Sequence, residues 1–97
     1  LADYTIRVVL HDNATWQDYI TLRTNLAAIR VVDYIKSDDN RWWRLPPAEY
    51  TYTGPETIAA VTDAVSNIAK AIKRSSVFVT QAVNRQWSGL EQLNGPG

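Results

Sequence analysis

The first regular pattern in the chain is an alternation. Tyr4, Ile6, Val8 and Leu10 fall on one side, and Thr5, Arg7, Val9 and His11 on the other. That period of two marks a strand with one face buried. Asp12-Asn13-Ala14 reads as a turn. Thr15 is placed to cap a helix, with Asp18 three residues on in a variant of the capping box. Tyr19, Leu22, Leu26 and Ile29 then recur at helical spacing and predict one apolar stripe. Val31 to Lys36 is β-branched and aromatic and predicts a second strand. Ser37-Asp38-Asp39-Asn40 is a turn-forming cluster, and Arg41 to Leu45 a third extended run, so the two pair most simply as a hairpin.

Pro46-Pro47 interrupts that run. Neither proline has an N–H to donate, so the chain lies at an edge there or leaves the sheet. Tyr50-Thr51-Tyr52 resumes an extended pattern. Gly54-Pro55 marks a break, with Pro55 suited to a helix's first turn. Ile58, Val61, Val65, Ile68 and Ile72 form the clearest helical stripe, supported by interspersed alanines. Lys70, Lys73 and Arg74 suit the negative end of its dipole. Val77 to Ala82 predicts the fourth strand and Gln86 to Leu90 a short fifth. The expected fold is α+β and ferredoxin-like: β-α-β-β-α-β, one antiparallel sheet with both helices on one face, as right-handed crossovers require. It forms a single domain over residues 1–93. Residues 94–97 are expected to be a mobile tail or an expression remnant.

Composition narrows the chemistry. The 97 residues are 45% hydrophobic and 21% charged, values of a globular chain and enough for one domain. There is no cysteine and one histidine, which excludes disulfides, thiolate metal sites and His-rich metal sites. No cofactor or metal is expected. No apolar run reaches the length of a membrane span and no signal-peptide pattern opens the chain, so a cytoplasmic protein with no membrane partner is expected. Ten basic residues balance ten acidic ones, which argues against strong non-specific nucleic-acid binding. The charges are uneven, however: from Thr57 onward Lys70, Lys73, Arg74 and Arg85 outnumber Asp63 and Glu91.

Few residues stand out as chemistry. His11 and Asp12 end the first strand, a common place for acid–base groups, although a surface histidine and an Asx-turn account for them more simply. Arg23 beside core-facing Leu22 could hold a phosphate, or be an exposed helix residue paired with an acid. Arg41-Trp42-Trp43-Arg44 interleaves bases and aromatics. One tryptophan is expected in the core, and the other beside Arg44 could stack on a base or a partner's side chain. Glu49 is a lone carboxylate near Tyr50 and Tyr52, and Asp38-Asp39 are explained by their turn. No phosphate-binding loop, nucleophile elbow, zinc-protease helix or calcium loop occurs.

Tyr4-Thr5-Ile6-Arg7-Val8-Val9-Leu10-His11, Leu45-Pro46-Pro47-Ala48-Glu49-Tyr50, Val77-Phe78-Val79-Thr80 and Trp87-Ser88-Gly89-Leu90 together resemble a small bacterial family grouped with the GhoS-type antitoxins of type V toxin–antitoxin systems. The resemblance spans nearly the whole chain. It implies a ferredoxin-like fold, like that of CRISPR-associated nucleases, and a metal-independent endoribonuclease that cleaves a toxin's messenger RNA. Leu22-Arg23 matches that family's mid-helix arginine, and Asp12 approximates its acid after the first strand.

Two functions follow as expectations. In the first, an RNA-binding or RNA-cleaving antitoxin, Arg23, His11 and Asp12 form the catalytic set and Trp42, Trp43, Arg44 and Tyr50 hold bases. In the second, a non-enzymatic module binds a host protein or forms a homodimer through a free sheet face or edge, a use that suits four tryptophans and five tyrosines.

Overall fold

The computed structural model describes residues 1–95; the predicted tail therefore falls partly, at Pro96 and Gly97, outside the described residues. Eight elements follow one another: β1 (Ala2–Leu10), α1 (Trp16–Ala27), β2 (Tyr34–Lys36), β3 (Trp42–Arg44), β4 (Glu49–Gly54), α2 (Ile58–Lys70), β5 (Ser75–Gln81) and β6 (Gln92–Leu93). The protein is α+β, with two helices and antiparallel sheets.

The expected single sheet is instead two sheets of three strands, ordered β4-β1-β5 and β2-β3-β6. β1 is the centre of the main sheet, with Tyr4 opposite Tyr52 of β4 on one side and Gln81 of β5 on the other. The predicted hairpin exists, with Tyr34 opposite Arg44, but it belongs to the smaller sheet. The run from Val31 meets the main sheet only at one bridge, Val32 to Thr51. The physical reason is Asp33: its charged side chain turns toward arginines, and the chain bends away before pairing resumes at Tyr34. Tyr50-Thr51-Tyr52 takes the main-sheet place that the sequence assigned to the hairpin. Gln86 to Leu90 is not a strand; the chain instead reaches β3 later, through Gln92 and Leu93.

The core lies on one face of the main sheet. Tyr4, Ile6, Val8 and Leu10 of β1 are buried with Leu22 and Leu26 of α1 and Val61, Val65 and Ala69 of α2. Both predicted stripes therefore dock on the same pleated surface. Tyr19, Ile29, Ile68 and Ile72 pack at its margin, while Ile58, expected in the stripe, is exposed. It opens the helix, where the face toward the sheet has not yet begun.

Helix ends explain the boundaries. Thr15 and Asp18 form the predicted capping box, Thr15 Oγ1 accepting from the Asp18 N–H at 3.1 Å and Asp18 accepting from the Thr15 N–H at 2.9 Å. α1 closes with the Val31 N–H on the Leu26 carbonyl and the Arg30 N–H on the Ala27 carbonyl, both 3.0 Å. That is a Schellman closure, in which a left-handed residue reverses the chain and an apolar residue beyond it packs back. Arg30, at φ 65°, supplies the reversal and buried Val31 the packing. α2 is capped by Thr57, which accepts from the Ala60 N–H, so Pro55 precedes the helix rather than opening it. Lys73 and Arg74 lie beyond its end and pair instead with Asp18 and Asp12 at the start of the other crossover. Among the described residues, no helix is long and apolar enough to cross a membrane.

Candidate nucleic-acid interface

Asp33 is where three of the predicted site residues converge. Its carboxylate accepts from Arg23 Nε at 3.0 Å and Arg44 Nη1 at 2.9 Å. α1 supplies Arg23 one turn after Tyr19, and β3 supplies Arg44, so the carboxylate ties helix to hairpin. Charge-assisted bonds of this kind are stronger than neutral ones. Arg44 also approaches Glu91 at 3.9 Å, just before β6. Tyr50 is buried beside this cluster. Desolvation, then the Asp33 carboxylate, pushes its hydroxyl up to about 12, because a buried phenolate next to an anion is disfavoured. Sequence reasoning missed Asp33, although the signal existed: it is the one charged residue inside the apolar run Val31-Val32-Asp33-Tyr34-Ile35.

His11 and Asp12 lie elsewhere. His11 Nε2 is 2.7 Å from Ser76 Oγ, and Asp12 accepts two bonds from Arg74, at 3.1 and 3.3 Å. The bond from Arg74 holds the Asp12 carboxyl below the usual carboxylate range. Asp12 and Asn13 both adopt φ 59°, as expected of a turn built from short polar side chains that tolerate the left-handed region. Ser76 and Arg74 belong to the β5 side of β1, whereas Tyr50 belongs to the β4 side. The structure therefore brings Arg23, Arg44 and Tyr50 together and groups His11 with Asp12 across the central strand.

The expectation that one tryptophan of β3 enters the core is not met: both are half-buried, because β3 belongs to the small sheet and not to the sheet that carries the core. Trp43 donates from Nε1 to Ser37 Oγ at 3.1 Å, which braces the hairpin turn. Trp42 stands edge-on to Tyr34, with centroids 5.5 Å apart, and Lys36 Nζ lies 5.4 Å from its ring centre. These distances suit an aromatic pair and a cation–π contact.

Trp42, Tyr34 and Lys36 form one wall of a groove of about 720 Å³ between the two sheets. Thr51 and Thr53 of β4, Arg30, Arg85 and Trp87 also line it. Arg85 is held there by bonds to Thr5 Oγ1 at 2.8 Å and Asp3 Oδ1 at 3.2 Å, which fold the segment after β5 back against β1. The sequence marked Arg85 only as part of a basic excess and Trp87 only within a resemblance motif, neither as a site residue. Both follow the last long strand, and only the fold of that segment brings them into the lining that Trp42 shares. Asp3 and Asp38 also line the groove, so the lining carries both signs of charge, with Asp3 already engaged by Arg85.

Among the described residues, no group of three or more His, Asp or Glu side chains could hold a metal ion. Compared with known proteins, the chain matches no family model, no curated protein and no solved structure.

Proposed function

We propose that the protein binds single-stranded RNA, holding bases in the groove between its two sheets. The observation that carries this reading is the Tyr34–Trp42 pair with Lys36 beside it, lining together with Trp87 a cleft about 720 Å³ in volume. Aromatic rings stack on any base, and stacking is worth about 1–3 kcal/mol per base. The volume is that of a site for one small ligand or a few bases. Arg30 and Lys36 supply cations for the backbone, while the acids nearby keep the local field weak.

The frame fits the same reading. We read the Val32 bridge beside β4 as what is left of a ferredoxin-like second strand, its remainder diverted into the hairpin of the smaller sheet. An antitoxin-type role, as the GhoS-type resemblance implies, would use this groove to hold a transcript. Binding is favoured over cleavage because Arg23 is engaged by Asp33 while His11 is engaged by Ser76 on the other side of β1.

The test is tryptophan fluorescence and anisotropy titration with labelled single-stranded RNA at two salt concentrations. Binding should quench the fluorescence, weaken at least tenfold in Trp42→Ala, and show a shallow salt slope. Two phosphate contacts correspond to a log–log slope of about −1.4. Unchanged affinity in Trp42→Ala, or no binding at micromolar RNA, would sink the proposal.

A further inference from the structure

β5 ends the main sheet. Among the described residues its backbone bonds to β1 alone. The flanking bonds, the His11 N–H to the Arg74 carbonyl and the Ala82 N–H to the Asp3 carbonyl, fix which residues face inward. By antiparallel alternation Arg74, Ser76, Phe78, Thr80 and Ala82 turn their peptide groups toward β1. Ser75, Val77, Val79 and Gln81 turn theirs outward, away from the sheet.

Such an edge is ordinarily blunted by lysine, proline, a bulge or a covering element. Ser75-Ser76-Val77-Phe78-Val79-Thr80-Gln81 has no charge and no proline, and its valines and phenylalanine favour pairing. The opposite edge differs: beyond β4 the chain itself supplies the Val32 bridge. At the midpoint of β5, on the face away from the helices, Phe78 is 71% exposed.

We propose that β5 pairs antiparallel with β5 of a second copy, about a twofold axis through Phe78. In that register Val77 meets the copy's Val79, Ser76 meets Thr80, Ser75 meets Gln81, and the two Phe78 rings lie opposite each other. All seven residues pair, and the outward peptide groups of Val77 and Val79 bond in the narrow rings of an antiparallel ladder. Phe78 falls in a non-bonded position, where opposed side chains are closest. No like charges are opposed anywhere along the register, and the copies approach with no net charge on either. An isologous contact of this kind closes on itself and yields a continuous sheet of six strands. The proposal is independent of RNA binding, since no residue from 75 to 81 lines the groove.

Sedimentation equilibrium on the protein, together with amide hydrogen exchange at rising concentration, tests it. The expected result is twice the chain mass at about 100 µM protein, with the Val77, Val79 and Gln81 amides becoming protected as concentration rises. Phe78→Lys changes an exposed side chain, so it should keep the circular dichroism spectrum and give the mass of one chain. Val79→Pro removes an outward N–H that β1 does not use and should do the same. A wild-type monomer at that concentration, or outer amides whose exchange ignores concentration, would overturn the proposal. So would a dimer that survives both substitutions.

Discussion

Several residues hold conformations or protonation states that the surrounding structure imposes on them. Arg30 closes α1 at φ 65°, a region where any side chain costs about 1–2 kcal/mol relative to glycine. Arg30→Gly should therefore raise stability by about 1 kcal/mol, less the entropy glycine adds to the unfolded chain. The same substitution should weaken RNA binding, because Arg30 lines the groove. Denaturant unfolding and an RNA titration on one preparation would show the two effects moving in opposite directions. Tyr50 gives a pH dependence with a definite sign. Unfolded, its hydroxyl ionises near 10; folded, at about 12. The folded state thus keeps a proton that the unfolded chain releases. This contribution to stability is whole below pH 10 and disappears as pH rises toward 12. Thermal unfolding followed from pH 9 to 12 should show a decline that is shallower in Tyr50→Phe.

At the level of elements, the helices were legible and the strands only partly so. The stripes of α1 and α2 and the Thr15–Asp18 box depend on residues close in sequence, which is why periodicity and capping chemistry found them. The hairpin was legible for the same reason. Its allegiance was not, because that depends on Asp33 finding Arg23 and Arg44, partners from a helix and another strand. The capping box makes a prediction at this scale. Asp18 is held below the usual carboxylate range, first by the Thr15 backbone N–H. Asp39 is held low by the Ser37 hydroxyl and Asp12 by Arg74. A depressed folded value means stability that is complete above the unfolded value near 4 and is lost as pH falls through the folded one. Thermal unfolding between pH 5 and 2 should show that decline. Thr15→Ala should cost about 1 kcal/mol at neutral pH, the usual loss for a cap, and should flatten the acid limb by removing a bond to Asp18.

The whole molecule joins two units of unequal strength. The main sheet carries the buried cluster, with Ile6, Val8, Leu22, Leu26 and Val65 fully enclosed. The small sheet has strands of two and three residues and is fastened by the Asp33 ion pairs and the Val32 bridge. Local opening is easiest where apolar burial is least. Native-state hydrogen exchange should therefore release the amides of β2 and β3 well before those of β1, and Asp33→Asn should widen the gap. The same asymmetry explains what the sequence revealed of the candidate site. Trp42, Arg44, Arg23 and Tyr50 stood out because charge and aromaticity adjoin there. Asp33 left a local mark, a charge inside an apolar run, but its pairing with Arg23 and Arg44 did not; Arg85 acquires meaning only through Asp3 and Thr5, across most of the chain's length, which no local pattern records.

The central place of β1 has a bearing on how the protein is born. The strand needs a partner on each side, and one of them, Ser75–Gln81, is made only after both helices. Its β4 flank is available once α1 and the hairpin are made, but the β5 flank must wait for both helices. Long-separated pairings of this sort slow folding, so the nascent chain passes through a stage in which Tyr4–Leu10 is a sticky, half-clothed ribbon. A circular permutant of residues 1–97 opened in the Ser37–Asn40 turn, with Gly97 joined to Leu1, would leave only β6 between β5 and β1 and shorten that stage.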